Sequence, residues 1–294
     1  MDHRNVSSSR RPVYVLTLSM VIFGTIGIFR RSIPLPSDVL AFGRGILGGV
    51  FLLLAVRARG RKLQWNKISR KAFALLALTG ALIGFNWILL FEAYNYTTVA
   101  VATLCYYMSP VIVMVLSPML LKEKLSVRQA VCVVLSVTGM FLVSGVVGET
   151  GAAASGSFRG VFLGLAAAVL YASVVLLNKL ITGIPPFEKT IIQLFSASVV
   201  LLPYMSIAGT LHAYALTTAE SLLFLAVGIV HTGVAYAMYF GSMEHLPART
   251  CALLSYIDPV SAVLLSAVFL REPMGVPGIL GTILIIGAAV YSEM

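Results

Sequence analysis

The chain has 294 residues, of which 59% are hydrophobic and 11% are charged, and its mean hydropathy is +0.96. A soluble domain carries about 25% charged residues, so this composition excludes a water-soluble globular protein and indicates one embedded in a lipid bilayer. The formal net charge of +10 does not require a nucleic-acid partner, because the basic residues are concentrated in alternating segments between apolar runs, as in the loops of membrane proteins.

Apolar stretches of about 20 residues recur along the chain, separated by short polar segments. As a helix, each stretch is long enough to cross about 30 Å of hydrocarbon. The pattern therefore predicts an all-α integral membrane protein with about ten transmembrane helices. The predicted spans are residues 13–29, 40–56, 72–94, 99–121, 130–147, 161–180, 191–208, 222–242, 251–270 and 276–291.

The basic residues between the spans predict the orientation of the protein. With a cytoplasmic N-terminus, the inside segments hold most of the lysines and arginines, including the dense run at residues 57–71. The outside segments hold only Arg30, Arg31, Arg159 and Arg271. This asymmetry follows the positive-inside rule, so we predict a multi-pass protein of the inner or plasma membrane with both termini in the cytoplasm.

Two segments, residues 104–123 and 253–272, share one pattern: a helix-breaking proline followed by a long apolar run and an acidic residue. Pro110 corresponds to Pro259 at an offset of 149 residues. The same offset pairs Glu123 with Glu272, Tyr107 with Tyr256, Gly84 with Gly233 and Phe91 with Phe240. The chain is therefore an internal duplication.

An odd number of spans in each half, about five, makes the second half enter the membrane with the opposite orientation. We predict two inverted five-helix repeats, residues 1–147 and 161–294, joined by a linker of small residues at 148–160. The repeats form one structural unit, since a single half would expose its interface to lipid. Such a repeat points to a transporter whose substrate site lies near the bilayer midplane, where the halves meet.

The chain resembles the EamA family of the drug/metabolite transporter superfamily over residues 13–291. The resemblance rests on the proline-interrupted helix that ends in a basic and acidic pair, residues 109–123 and 258–272, and on the glycine-rich helix after each. It implies a secondary transporter that works by alternating access around a cavity between the repeats. Family members export amino acids and related metabolites, and others carry nucleotide-sugars, phosphorylated sugars or choline, so the resemblance implies transport without fixing the substrate.

Arg44 lies in the second predicted span among apolar neighbours, and Gln193 is its counterpart at the repeat offset. A guanidinium group stays charged when buried and presents a planar set of donors that suits a carboxylate or phosphate. We predict that Arg44 binds an anionic group of the substrate or forms a gating ion pair, with Gln193 as a further substrate-binding residue. The alternative is a structural ion pair with Asp38 or Glu92, or contact with a lipid phosphate.

Asp258 and Pro259 lie in the ninth span, and Ser109 and Pro110 are their counterparts in the fourth. A carboxylate at the centre of a span costs about 2.5 to 3.5 kcal/mol, and such residues usually mark a pathway. Each proline removes an amide donor and is predicted to kink its helix, which leaves a carbonyl oxygen free to bind substrate. The alternatives are that Asp258 only caps the kink and that the kinks only shape the bundle.

Further polar and aromatic side chains inside the spans predict an amphipathic cavity suited to zwitterionic or aromatic metabolites. Aromatic stripes more often serve packing, so a role in helix contacts stays open for them. The remaining predicted substrate-binding residues are Asn86, Trp87, Tyr106, Tyr107, Tyr171, His231, Tyr236 and Tyr256.

Glu92, Asp258 and His231 are ionisable residues inside spans, and such groups carry protons in pumps and transporters, so we predict a role in proton coupling. The alternatives are that Glu92 pairs with Arg30 or Arg31 and that His231 is a hydrogen-bonded core residue. The same three residues carry the alternative function, an intramembrane enzyme or lipid-handling protein, although no catalytic motif brings them together.

The sequence contains no ATP-binding loop and no metal-ligand spacing, and its three cysteines are scattered among the spans. We therefore expect no enzymatic activity, no metal and no cofactor. The expected partners are a small-molecule substrate and the lipid bilayer, without nucleic acid. We expect a monomer or a homodimer.

Overall fold

The computed structural model describes residues 4–60, 63, 65, 68–121, 126–143, 152–243, 245–246, 248–272 and 274–293, and within these ranges all regular structure is helical. The elements are α1 (Arg4–Gly24), α2 (Ile26–Arg31), α3 (Ser37–Ala58), α4 (Arg70–Tyr96), α5 (Val99–Tyr106), α6 (Ser109–Leu121), α7 (Val127–Val143), α8 (Ala152–Lys179), α9 (Pro186–Ala208), α10 (Thr218–Ala226), a π-helical turn (Val227–Val234), α11 (Ala235–Met243), α12 (Ala248–Ser255), α13 (Ile257–Phe269) and α14 (Val276–Glu293).

In the part of the chain that the structure describes, seven helical segments are long and apolar enough to cross a membrane. They are Arg11–Arg31, Ser37–Ala58, Arg70–Tyr96, Val99–Leu116, Phe158–Lys179, Pro186–Ala208 and Thr218–Met243. The shorter apolar helices are Val127–Val143, Ile257–Phe269 and Val276–Tyr291. The prediction of an all-helical membrane protein is confirmed, whereas the count of ten spans stays a prediction.

Two of the predicted spans are interrupted ahead of their prolines. α5 ends at Tyr106 and α6 begins at Ser109, so Pro110 lies in the first turn of α6. Pro259 lies likewise in the first turn of α13, after a break at Tyr256. A proline is tolerated in a first turn, because an amide there has no carbonyl partner within the helix. Each proline therefore lies just after a short turn that interrupts its span, and the kink predicted at each proline stays a prediction.

The segment between the halves is only partly described. Residues 148–151 of the predicted linker lie outside the described ranges, and α8 begins at Ala152, so most of the remaining linker is helical. Glu123, the counterpart of Glu272, also lies outside the described residues. The linker prediction rested on small, flexible residues, but alanine is also the best helix former, which accounts for the difference.

Most contacts between two helices have a counterpart between the equivalent helices of the other half. At the repeat offset, α3 corresponds to α9 and α7 corresponds to α14. The two helices of each corresponding pair pack against each other. The contact of α4 with α8 has its counterpart in the contact of α11 with α1, and that of α6 with α8 in that of α13 with α1. The duplicated sequence therefore appears as a duplicated packing arrangement, and the two halves meet along its centre.

Small residues permit the closest of these contacts. A Cβ atom added at Gly139 of α7 would lie 2.7 Å from the Gly281 carbonyl oxygen of α14, and one added at Gly281 would lie 2.5 Å from the Gly139 oxygen. Side chains of any size would force these two helices apart. Glycines therefore set the close packing of α7 and α14, as small residues do in membrane helix pairs.

Candidate functional site

α3 carries Arg44 into the centre of the bundle, where its side chain is 4% exposed. Its Nε donates a hydrogen bond of 3.0 Å to Thr232 Oγ1. The guanidinium carbon lies 4.0 Å from the centroid of the Trp87 ring and 5.4 Å from that of Phe91. A cation over an aromatic face gains about 0.5 to 2 kcal/mol. Among the described residues, no carboxylate forms an ion pair with Arg44.

The carboxylates considered as partners for Arg44 bind elsewhere. Asp38 accepts hydrogen bonds from the Val39 N–H and from the Thr210 hydroxyl. Glu92 accepts hydrogen bonds from Ser37 at 2.9 Å and from Asn95 at 3.1 Å. The structural ion pair that would have explained the buried arginine is therefore not formed with either residue.

The π-helical turn at Val227–Val234 holds Arg44 from the second half of the chain. Thr232 Oγ1 donates to the Val227 carbonyl oxygen at 3.1 Å, which leaves its lone pair free to accept from Arg44 Nε. π-helical turns are rare and occur frequently at functional sites. Sequence analysis missed Thr232, because a single threonine in an apolar span gives no periodic signal.

His231 lies in the same π-helical turn, and its two ring nitrogens have separate partners. Nδ1 lies 3.2 Å from the Ala226 carbonyl oxygen, and Nε2 lies 2.7 Å from Thr25 Oγ1, at the break between α1 and α2. The Thr25 hydroxyl also lies 2.7 Å from the Ile22 carbonyl oxygen and has one proton to donate. A neutral imidazole has a single N–H, so the ring donates either from Nδ1 to Ala226 or from Nε2 to Thr25. The ring also packs edge-on against Phe29, with centroids 4.6 Å apart. His231 thus joins the first span to the turn that holds Arg44.

Asp258 lies at the start of α13 and accepts a hydrogen bond of 2.5 Å from the hydroxyl of Tyr107, which lies at the break between α5 and α6. The bond therefore links the two interrupted spans, one from each half. Tyr94, Tyr106 and Tyr236 each lie within electrostatic range of both Asp258 and Arg44. The carboxylate and the guanidinium group therefore lie near one set of tyrosines.

The rings of this cluster contact one another across the interface of the halves. Tyr106 lies 5.7 Å from Tyr107 and 5.3 Å from Tyr171, measured between centroids. Tyr236 lies 5.3 Å from Phe23. Tyr171 is 38% exposed although it contacts Tyr106, so the cluster borders open space. We call Arg44, Trp87, Tyr94, Tyr106, Tyr107, Tyr171, Tyr236 and Asp258 the central cluster.

Three of the predicted site residues take part in other contacts. The Asn86 side chain donates to the Ala167 carbonyl oxygen at 2.6 Å and so joins α4 to α8. Gln193 Nε2 donates to Thr79 Oγ1 at 2.8 Å and to Asn178 Oδ1 at 3.0 Å, which ties α9 to α4 and α8. Tyr256 is buried at the break between α12 and α13. These contacts fasten helices together.

The ionisable residues considered for acid–base chemistry do not share a site. Asp258 is bound by Tyr107, Glu92 by Ser37 and Asn95, and His231 by Thr25. Within the described residues, no group of three or more His, Cys, Asp or Glu side chains is placed to hold a metal ion. The geometry brings a single cation and a single carboxylate together around aromatic rings, an arrangement suited to binding an amphipathic molecule.

Comparison with known proteins gives three consistent results. The model of the EamA-like transporter family matches residues 11–145 and 158–292. The Bacillus subtilis protein named uncharacterized transporter YxxF is 31% identical over 271 residues, which cover 90% of this chain and 84% of that protein. Protein RarD of Salmonella typhi is 24% identical over 280 residues, which cover 93% of this chain and 90% of that protein. A solved crystal structure with 19% identity superposes on this chain with a TM-score of 0.68. The match covers 96% of this chain and 97% of the chain in that structure, so the two proteins share a fold.

Proposed function

The chain belongs to the EamA-like transporter family, and from this premise we propose that it is a secondary transporter that exports small amphipathic metabolites, such as amino acids, by alternating access. The observation that carries the proposal is the charge arrangement of the central cluster. Arg44 is buried without a carboxylate partner among the described residues, and Asp258 lies near the same tyrosines. A buried cation is retained at a large free-energy penalty, and such residues in membranes are usually functional.

The central cluster suggests how a substrate would be bound. A carboxylate would replace the missing partner of Arg44 and receive charge-assisted hydrogen bonds from the guanidinium group. The apolar part would lie against Tyr106 and Tyr236, and an ammonium group would lie near Asp258. Arg44 and Asp258 come from different halves, so a bound zwitterion would bridge the two repeats.

We further propose that the molecule has ten spans in two inverted repeats, residues 1–147 and 161–294, with both termini in the cytoplasm. The equivalent helix contacts of the two halves support a two-fold relation between the halves. With an odd number of spans in each half, the second half enters the membrane with the opposite orientation, so the repeats are inverted. The concentration of basic residues in alternate loops supports a cytoplasmic location for both termini in an inner or plasma membrane.

The role of Arg44 in substrate binding can be tested by counterflow in proteoliposomes with a panel of labelled amino acids. Arg44→Gln should lower exchange about 100-fold, because truncating one partner of a buried charge pair costs about 2 to 5 kcal/mol. Arg159→Gln is a matched control, since Arg159 is exposed and lies over the Tyr96 ring, away from the central cluster. Exchange at wild-type rate by Arg44→Gln would contradict the assignment of Arg44, and product formation without flux would favour an enzyme.

A further inference from the structure

The interrupted spans are packed together at one end of the bundle and separated at the other. α5 packs against α13. At the repeat offset α12 corresponds to α5 and α6 corresponds to α13, so the equivalent contact would join α12 to α6. In the parts of these two helices that the structure describes, no comparable contact is formed. Within the described residues, α5 and α13 are therefore packed together at one end of the interrupted spans, whereas α6 and α12 are not packed together at the other.

Glu272, in the loop after α13, holds the packed end together. Its Oε1 lies 3.1 Å from Arg31 Nη2, at the end of α2, and its Oε2 accepts the Val99 N–H at 2.9 Å, at the start of α5. Arg31 Nη2 also donates to the Thr97 carbonyl oxygen at 2.8 Å. We call these groups of Arg31, Thr97, Val99 and Glu272 the latch. A residue of the second half thus ties together two spans of the first.

The backbone before Glu272 is held in an unusual conformation. Arg271 has φ of 53°, the one non-glycine residue with positive φ among the described positions. This left-handed conformation costs a non-glycine residue roughly 1 to 2 kcal/mol. It ends α13 and directs the Glu272 N–H to the Ser266 carbonyl oxygen at 3.3 Å. Strained conformations of this kind persist where surrounding contacts enforce them, and they cluster in functional segments.

Glu272 binds at a helix N-terminus, where free N–H groups and the helix dipole favour an anion. Its side chain is 14% exposed, against 36% for Arg31. Burial raises the pKa of Glu272, and the Val99 N–H and the Arg31 guanidinium oppose that shift. These two partners therefore favour the charged form of the carboxylate against the effect of burial.

A second polar network lies beside the latch but stays within the first half. Arg30 donates to the Ile33 carbonyl oxygen and to Ser37 Oγ, each at 3.2 Å, and Ser37 donates to Glu92. Glu92 is therefore linked to Arg30 through Ser37, and not by the direct pair considered from the sequence. Since none of these residues belongs to the second half, the network stabilises one repeat and cannot hold the two together.

Building on the proposed transport function, we propose that the latch is the outer gate of the transporter and that the structure represents the inward-open conformation, closed at Glu272. The loop charges assign Arg31 and Glu272 to the outside. Release of the substrate to the outside requires α5 and α13 to separate. Because Glu272 contacts both Arg31 and Val99, these two contacts must break first. The Tyr171 ring is 38% exposed, and in this conformation we expect its exposed part to be reached from the cytoplasm.

The gate can be tested by labelling a cysteine inside the cavity, without knowledge of the substrate. The three native cysteines, Cys105, Cys132 and Cys251, are buried and would be replaced by alanine. In this background, Tyr171→Cys should react with a membrane-impermeant thiol reagent in inside-out vesicles and hardly at all in right-side-out vesicles. Adding Glu272→Ala should raise the right-side-out rate at least about tenfold, since it removes the contacts with Arg31 and with the Val99 N–H, and a single hydrogen bond to a charged group is already worth about 1.5 kcal/mol. Equal labelling from both sides with Glu272 intact, or no effect of Glu272→Ala, would overturn the proposal.

A second measurement covers the case in which Glu272→Ala does not fold. In the same cysteine-free background, Arg31→Cys and Glu272→Cys would be joined by a short thiol cross-linker, which should stop counterflow until a reductant restores it. The matched control joins Thr218→Cys to Leu222→Cys, two exposed positions on α10, and should not affect exchange. Exchange that continues after cross-linking of the latch would contradict its role as a gate. Absence of exchange by the wild-type protein would contradict the transport function alone, since the labelling result does not depend on exchange.

Discussion

α3 and α9 occupy equivalent places in the two halves and pack against each other, yet they carry different chemistry. Arg44 of α3 is a buried cation held by Thr232 and an aromatic face, whereas Gln193 of α9 is a neutral amide bound to Thr79 and Asn178. The duplication thus provides a shared packing frame for the two halves. Single substitutions within that frame place a buried charge on α3 and a neutral amide at the equivalent place on α9.

The interrupted spans differ in the same way, because Asp258 in the second half corresponds to Ser109 in the first. Changing Asp258 to Asn should lower counterflow about tenfold, because the Tyr107 hydroxyl then donates to a neutral acceptor and the site loses its anionic group. Initial rates in proteoliposomes measure the effect. Tyr107→Phe is the matched variant that keeps the carboxylate and should have a smaller effect. A larger loss in Tyr107→Phe than in Asp258→Asn would contradict a role for the charge.

Thr232 tests whether the π-helical turn positions the cation. Thr232→Val removes the acceptor of Arg44 Nε but keeps the shape of the side chain, so the KM for exchange should rise about fivefold, as expected for one hydrogen bond of about 1 kcal/mol. Thr232→Ser keeps the hydroxyl and should stay within a factor of two of the wild type. A purely structural role would lower the unfolding temperature of Thr232→Val and leave its KM unchanged.

Gln193 should give the smallest effect on transport. Gln193→Leu leaves the buried acceptors on Thr79 and Asn178 without their donor, which should lower the free energy of unfolding by about 1 to 3 kcal/mol. Counterflow should be nearly unchanged, since Gln193 binds other helices and not the central cluster. Thermal unfolding and exchange of the same preparation check both statements. A rise in KM comparable to that of Thr232→Val would place Gln193 in the substrate site.

Much of the fold could be predicted from the sequence, because length and hydropathy determine which segments can cross a bilayer. The repeat offset also indicated which helices correspond, as in the pairing of Pro110 with Pro259. The position of the short turn ahead of each proline could not be predicted, since a proline is compatible both with the interior of a kinked helix and with a helix start. Boundaries near the linker also shifted, because small residues suit either a coil or a helix.

The site was only partly predictable, because the sequence identifies unusual residues but not their partners. Arg44 and Asp258 stand out as charges within apolar spans, and the structure brings both to one group of tyrosines. Thr232 and the latch around Glu272 depend on contacts between residues far apart in the chain, which no local pattern reveals. Asn86 and Gln193 show the reverse case, since a polar residue in a span can serve helix contacts alone.

Ligand-induced thermal stabilisation tests the proposal that Arg44, which forms no ion pair among the described residues, receives an anionic group of the substrate. Purified wild-type protein and Arg44→Gln would be heated with amino acids, sugar phosphates and matched uncharged analogues. At least one carboxylate or phosphate ligand should raise the unfolding temperature of the wild type and not that of Arg44→Gln, since binding to the folded state alone stabilises it. Equal stabilisation of both proteins by the same anionic ligand would contradict the claim.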